Sequence, residues 1–552
     1  YPQQVQISGS LNIIQGRTID INAGTFHNSD SANGIYFNND KIIYISGSGA
    51  NASYFFGSDA GGTHAATGGE ANIGIGFQAG RALSTADYNT LIGSQAGTSL
   101  NTGGYNVFLG WKSGLSATSN HSNVAIGNQA FIGSTAGSHE NVAIGSRAMQ
   151  IGAVTGNANI AIGTKTLQDL TSGTDNVALG SSAGLNLTTA DNTIAIGHDA
   201  MSSAATTGTN NIAIGQEAGN ALVAGLENIF IGSMAGAATV TGENNIAIGH
   251  DVFLASDGDG DRNVAIGYQT MKTGDVSGAD NIAIGTNALD DLTSGTDNIV
   301  LGTGAGLQVT NNTDNVVIGH DAFAASINDG NKNVAIGFEA MKSGDVSGDG
   351  NVAIGSQAAI NLTSGLKNIF IGDYSGGASA NISGTYNTVV GRNAGANLTI
   401  GGSNVLLGNS TAVDLTTGMY NIAIGLNAFA NAVGSDGNIA IGTDAISGAN
   451  TTGNNNIGLG ASSLVNLTDG VSNIAVGSGS MGIGIVTGND NIALGNFALE
   501  DVTTGGNNIA IGSGSLASAT DNTGNVAIGF EALKTEDAHG NNVAIGFQAL
   551  KT

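Results

Sequence analysis

The chain of 552 residues has no cysteine and only one proline. Without thiols it has no disulfides, no zinc thiolate centres and no thiol nucleophile, and cysteine usage does not reveal its redox compartment. One proline against 90 glycines excludes a collagen-like composition, which couples glycine to abundant proline. Charge is scarce too, at 10 % of residues, and 14 basic against 41 acidic side chains leave a net charge of −27. That sign repels phosphate backbones, and no Lys/Arg cluster focuses a positive field, so nucleic acid is not an expected partner. No run of 18 apolar residues occurs and no membrane span is expected. Yet 41 % of residues are hydrophobic, enough surface to bury and an argument against disorder.

What the chain has in excess is a repeat. Asn-aliphatic-Ala-aliphatic-Gly, as in NIAIG at Asn211 to Gly215 and NVAIG at Asn263 to Gly267, recurs 28 times from Asn72 onward, at steps of 17 or 18 residues with one of 19. A constant short period overrides the expectation of several globular domains and predicts one stacked array. Residues 1 to 70 lack the motif and carry strand-like runs at Val5 to Ile14, Arg17 to Ile21, Gly34 to Ser46 and Ser53 to Phe56. They are expected to form an N-terminal β-rich cap or assembly segment, with residues 71 to 552 as the shaft. Blocks of coils are duplicated: Asn245 to Gly285 matches Asn315 to Gly355, which is cheap when each coil contacts only its neighbours.

The alternation within each copy predicts a strand. Read with the two aliphatics (Ile212 and Ile214 in one copy) facing inward, it turns the central residue outward. That residue is apolar in every copy, so the outward face is expected to be covered by another chain, through Ala125, Ala143, Ala213, Ala265 and Ala335. The Asn holds its place in every copy except at Thr193. Stacked side chains of Asn123, Asn141, Asn211, Asn263 and Asn333 are expected to form a hydrogen-bonded axial ladder. After the Gly come two variable residues, a small residue (Ala130, Ala148, Thr270, Ser463), and then Gly or a large apolar filler such as Met149 or Phe323. The remaining loop often carries Leu-Thr-Ser-Gly, as at Leu170 to Gly173, where Gly is expected to supply a positive-φ corner.

The copies NVAIGNQA (Asn123 to Ala130), NVAIGSRA (Asn141 to Ala148) and NVAIGFEA (Asn333 to Ala340) resemble the head repeats of YadA-like trimeric autotransporter adhesins and the Gly/Asn-rich repeats of phage tail-fibre proteins. The resemblance covers residues 72 to 552. It implies a left-handed parallel β-roll with three chains about one axis. The coil departs from the adhesin pattern in being longer, and no counterpart of the adhesin stalk or membrane barrel is visible.

The chemistry sought is not found. GTGAG (Gly302 to Gly306) and GSSAG (Gly180 to Gly184) match fragments of phosphate loops and nucleophile elbows, but both lie in register with the repeat. DGDGD at Asp257 to Asp261 begins like a calcium loop and then places Arg262 where Gly is required. The pairs His198-Asp199, His250-Asp251 and His320-Asp321 fall three and four coils apart, roughly 14 to 19 Å at ~4.8 Å per coil, too far to share an ion. No catalytic residue, metal or cofactor is therefore expected.

The fold expected is an all-β parallel β-solenoid of about 28 coils, packed as a parallel homotrimer. The leading functional expectation is a non-enzymatic fibre shaft on a cell or virion surface, serving adhesion or receptor attachment, with a surface glycan as a candidate partner. A head-to-tail extracellular filament, capped by strand addition from Val5 to Ile14, is the second expectation. Ice or polysaccharide binding is the third; it would need a regular Thr array, whereas the Thr read as scattered in loops of varying length.

Overall fold

The computed structural model describes residues 34–37, 40–46, 51–62, 69–134, 137–151, 153–253, 260–326, 330–377, 381–535 and 540–551. The runs expected at Val5 to Ile14 and Arg17 to Ile21 lie outside them. Strands β1 (Gly34–Phe37), β2 (Asp40–Ser46) and β3 (Ser53–Phe56) are followed by one three-residue strand per motif copy, β4 (Ile73–Ile75) through β31 (Val543–Ile545). No helix occurs among the described residues. β1 pairs antiparallel with β2 and β2 with β3; from β3 onward every pairing is parallel, each strand with the next. The chain is an all-β parallel solenoid.

Register is strict because each copy has the same five-residue core. β12 (Ile212–Ile214) sets Ile212, Ala213 and Ile214 opposite Ile229, Phe230 and Ile231 of β13 (Ile229–Ile231). The ladder also reaches back one strand further than the motif does. Tyr54, Phe55 and Phe56 sit opposite Ile73, Gly74 and Ile75, and the Asn72 backbone N–H donates to Ser53 Oγ at 3.0 Å. Ser53 to Gly57 is thus a degenerate coil within the segment expected to be a cap. At ~4.8 Å per rung, the 28 motif strands span roughly 130 Å.

The assignment of strand faces from alternation is overturned. Ala125, Ala143, Ala213, Ala265 and Ala335 are each 0 % exposed within the single chain, so they line the interior of their own coil and do not face another chain. Ile212 and Ile214, expected inside, are only half-buried. The reason is volume. Six residues after each central residue stands the filler, and the two meet across a narrow coil. Where the central residue is Ala, the filler is usually large: Ala143 with Met149, Ala161 with Leu167, Ala265 with Met271, all buried. Where it is Phe, the filler is Gly. A Cβ on Gly114 would lie 2.4 Å from the Phe108 ring, and one on Gly376 2.0 Å from that of Phe370.

The large fillers sit in the left-handed region, with φ of 49° at Met149 and 47° at Leu167. That conformation costs ~1–2 kcal/mol per residue. Burying a Leu or Met side chain contributes ~1.5–3 kcal/mol, so burial wins and the strain persists in coil after coil.

The motif Gly, and in many coils a loop Gly, serve other ends. The motif Gly has φ near +138° at Gly215, and a Cβ there would lie 2.3 Å from the Gly232 carbonyl of the next coil. The loop Gly, expected to supply a positive-φ corner, does not do so at Gly173. There a Cβ would lie 2.2 Å from the Ala190 carbonyl, so close stacking of coils excludes a side chain.

Candidate functional site

The Asn ladder is present, and all five named members are 0 % exposed. Asn141 shows the pattern. Its backbone N–H and Nδ2 donate to Asn123 Oδ1 at 2.9 and 3.2 Å, its Nδ2 also donates to the Gly156 carbonyl at 3.0 Å, and its Oδ1 accepts from the Asn159 backbone N–H at 2.9 Å. One side chain thereby closes its own coil and ties it to both neighbours. Asn211, Asn263 and Asn333 bond to Gly225, Gly278 and Gly348 in the same way, at 2.8, 2.9 and 3.0 Å. Asn123 takes its place below Asn141 by donating its backbone N–H to Asn106 Oδ1 at 3.0 Å. At Thr193 the ladder changes: the Thr193 backbone N–H still donates to Asn176 Oδ1 at 2.9 Å, but its hydroxyl turns to the Asp191 carbonyl at 3.2 Å. These residues hold the scaffold. They are sealed from ligands.

The motifs with a superficial catalytic look are absorbed by the same stacking. In GTGAG the backbone N–H groups of Gly302, Gly304 and Gly306 donate to Ile284, Thr286 and Ala322 carbonyls, each at 2.9 Å. The three glycine N–H groups are thus committed to stacking and do not cradle a phosphate. Asp261, in the described part of DGDGD, accepts from the Glu243 backbone N–H at 2.8 Å; residues 257–259 lie outside the described residues. The three His-Asp pairs are local, with Nδ1 to carboxylate distances of 3.1, 3.2 and 3.5 Å on His side chains at least half exposed. His250 stacks on Tyr268 and His320 on Phe338, at ring separations of 5.6 and 5.7 Å. Among the described residues no group of three His, Cys, Asp or Glu could hold a metal ion.

The Thr residues, read as scattered, come into register in the structure. Loops of different length bulge before a common point, so the Thr171 backbone N–H donates to the Thr188 carbonyl, that of Thr293 to Thr310 and that of Thr503 to Thr520. The hydroxyls donate along the axis as well, Thr171 to Thr188 at 2.9 Å and Thr293 to Thr310 at 3.1 Å. Their donors are spent on coil stacking, and Val223, Val240 and Val433 interrupt the column.

The surface that stands apart is the strand face itself. Each rung presents two aliphatic side chains outward, on either side of the buried central residue. Ile299 and Leu301 are each 45 % exposed, and Val405 and Leu407 are 40 % and 45 %. Polar residues enter these two columns only at Thr90 and Thr388. The stripe is ~130 Å long and about 7 Å wide, roughly 900 Å², above the ~300–600 Å² of the largest patch on a typical monomer. Alternation pointed to an apolar outer strand face but named the wrong residues for it.

Two features flank the stripe. The residue before each Asn and the second residue after each motif Gly sit in the left-handed region, for example Glu140 and Arg147 at φ of 61° and 60°. Both columns carry exposed aromatics: Tyr88 and Tyr105, before the Asn, stack at 5.0 Å between ring centroids, and Tyr374 and Phe497 stand in the second column, where Lys112 lies over the ring of its neighbour Trp111 at 4.5 Å. The most strongly perturbed carboxylate is Glu531, held at about 2 by hydrogen bonds from Lys534, Lys551 and Gln548. Burial pushes the Asp169 carboxyl above its ordinary range, and its Oδ1 has no hydrogen-bond partner.

In comparisons with known proteins, no family model and no curated protein matches the chain.

Proposed function

We propose that the chain is the shaft subunit of a non-enzymatic structural fibre on a cell or virion surface, in which identical chains pack through the aliphatic strand face. The observation that carries this reading is the double column of Ile, Val and Leu along the 28 motif rungs, interrupted only at Thr90 and Thr388. A partner for it must match its length, its lack of charge and its ~4.8 Å period, and a second copy of the same chain meets all three. Covering about 32 Å² per rung at ~25 cal/mol per Å² contributes about 0.8 kcal/mol, and the term repeats with every coil. Three copies about one axis is the arrangement implied by the resemblance to adhesin heads. Adhesion or receptor attachment, with a surface glycan as one candidate partner, follows as the task of such a shaft, which holds its variable loops outward at a fixed spacing.

Light scattering of the purified chain tests the assembly. The expected result is a mass three times that of the chain, with an assembly that melts at lower temperature in Ile212→Asp combined with Ile229→Asp. A wild-type chain that stays monomeric at all concentrations would overturn the reading.

A further inference from the structure

We infer that the two columns flanking the strand face set the direction and register of the assembly: the edge before each Asn meets the edge after each motif Gly of a second copy, at the same rung. The inference rests on the packing of identical chains proposed above.

Consider what each rung carries at its two edges. In Glu140-Asn-Val-Ala-Ile-Gly-Ser-Arg147, an acid precedes the Asn and a base follows the Gly. Lys332 and Glu339 bracket β19 (Val334–Ile336) with the signs reversed, and Lys367 and Asp373 bracket β21 (Ile369–Ile371) likewise. Only one further rung has ionisable residues of charged type at both edges, Asp314 with His320 and Asp321, and there Lys342 Nζ lies 2.8 Å from the Asp321 carboxylate. Acids outnumber bases 41 to 14, so unselected rungs would more often pair two acids. The bias toward opposite signs needs a cause.

Contact within one chain does not link the two edges of any of these rungs, and at Glu140 and Arg147 it supplies no ion pair at all, whereas Glu339 and Asp373 also meet Lys342 and Arg392 of their own chain. From Glu140 to Gly145 the strip runs five residues, roughly 16 Å at ~3.3 Å per residue, and Glu140 and Arg147 point away from its two sides. Both are exposed, and neither has an ion pair among the described residues. Among the described residues, side chains that do pair inside the chain do so along the axis or within one edge, never across the strand face: Arg392 Nε is 3.6 Å from Asp373 on the rung below, with 69 % and 43 % of the two side chains still exposed, and Lys342 Nζ is 2.6 Å from Glu339 on its own edge.

Symmetry supplies the cause. When copies related by rotation about an axis parallel to the shaft bring their strand faces together, the left edge of one meets the right edge of the next at equal height. Opposite charges at one height then attract, and like charges met by a slip of register or a reversed chain repel. The same geometry sets the exposed Tyr386 ring against Arg392 and Arg262 against the Tyr268 ring, both favourable cation and aromatic pairs. An antiparallel pairing would match edges at unrelated heights and lose all of these.

The absence of cysteine from the chain makes a direct test clean. In the full chain carrying Glu140→Cys and Arg147→Cys together, a short bis-maleimide is expected to link chains into covalent species that stop at the closed ring. Neither single variant should link, because like edges do not meet. Linking by the Glu140→Cys variant alone, or no linking by the double variant in a sample whose scattering mass shows assembly, would overturn the edge pairing while leaving the face packing intact. A monomeric wild-type chain would overturn both. As a second measurement, Glu140→Arg should lower the melting temperature of the assembly and Glu140→Arg with Arg147→Glu should recover it; a double variant no more stable than Glu140→Arg would count against the pairing.

Discussion

A Cβ built on Gly236 would lie 2.7 Å from the Phe230 ring six residues before it, so the coil holds one large side chain at these two positions together and has no room for a second. Elsewhere the same space is filled from the opposite side, by Leu167 over Ala161 and by Leu516 over Ala510. The two arrangements should be exchangeable as a pair. Phe230→Ala alone is expected to cost about 3–5 kcal/mol of local stability, and Gly236→Leu alone to clash. Phe230→Ala with Gly236→Leu should recover most of the loss, a coupling measurable in a double-mutant cycle by hydrogen exchange of β12 and β13. Additive losses would show that the two residues do not share one cavity.

The reversal of strand faces makes a paired prediction. Ala213→Asp places a carboxylate in a site that is 0 % exposed and should unfold its coil locally, at a cost of about 2 kcal/mol or more. Ile212→Asp, on the outer face, should leave the coil folded and weaken association instead. Circular dichroism with light scattering separates the two effects; a folded, fully associated Ala213→Asp variant would contradict the assigned interior.

Removing one rung of the Asn ladder should be felt by its neighbour. Asn333 Oδ1 accepts from the backbone N–H and Nδ2 of Asn351 at 2.8 and 3.1 Å, so Asn333→Ala leaves buried donors unpaired at ~1–3 kcal/mol. The converse change, Thr193→Asn, restores a carboxamide where the ladder changes and is expected to stabilise by about 1 kcal/mol. Exchange protection of the Asn351 and Asn211 amides reads each effect.

Acid should loosen the coil that carries Glu531. Hydrogen bonds from Lys534, then Lys551 and Gln548, hold its carboxyl at about 2 instead of 4.5. Because the folded value is depressed, the contribution is complete above pH 4.5 and is lost as pH falls toward 2. Glu531→Gln should remove that window from a plot of melting temperature against pH. Asp169 works in the opposite sense. Its raised value, caused by burial, means stability declines as pH rises past the ordinary carboxylate range, so Asp169→Asn should raise the melting temperature at neutral pH by an amount that vanishes in acid.

Period, parallel stacking and the Asn ladder were legible because each leaves a mark at fixed spacing. Asn at one place in nearly every copy has few uses other than an axial ladder. Strand orientation was not legible from alternation, because Ile-Ala-Ile offers no polar residue to mark the wet side. A better signal was present in the chain: Phe55 with Gly61, Phe108 with Gly114 and Phe370 with Gly376 trade volume against the Ala and Met pairs, and only residues that touch trade volume. The degenerate coil at Ser53 to Gly57 was not legible because Ser replaces Asn and Tyr54 and Phe56 replace the two aliphatics. The Thr column was hidden by loops of unequal length, which bulge before the Thr and leave its axial position unchanged.

The Asn carboxamides described above all point one way. In each step except that from Thr193 to Asn211 the coil nearer the C-terminus donates and the coil nearer the N-terminus accepts, from Asn89 on Asn72 to Asn508 on Asn491, and neighbouring amide dipoles so aligned polarise one another. The ladder therefore gives the shaft a dipole direction along its axis on either side of Thr193, while the backbone bonds between coils run both ways. Copies bundled side by side in the same sense add their moments, and a fibre built from them would orient in an applied field as a single dipole.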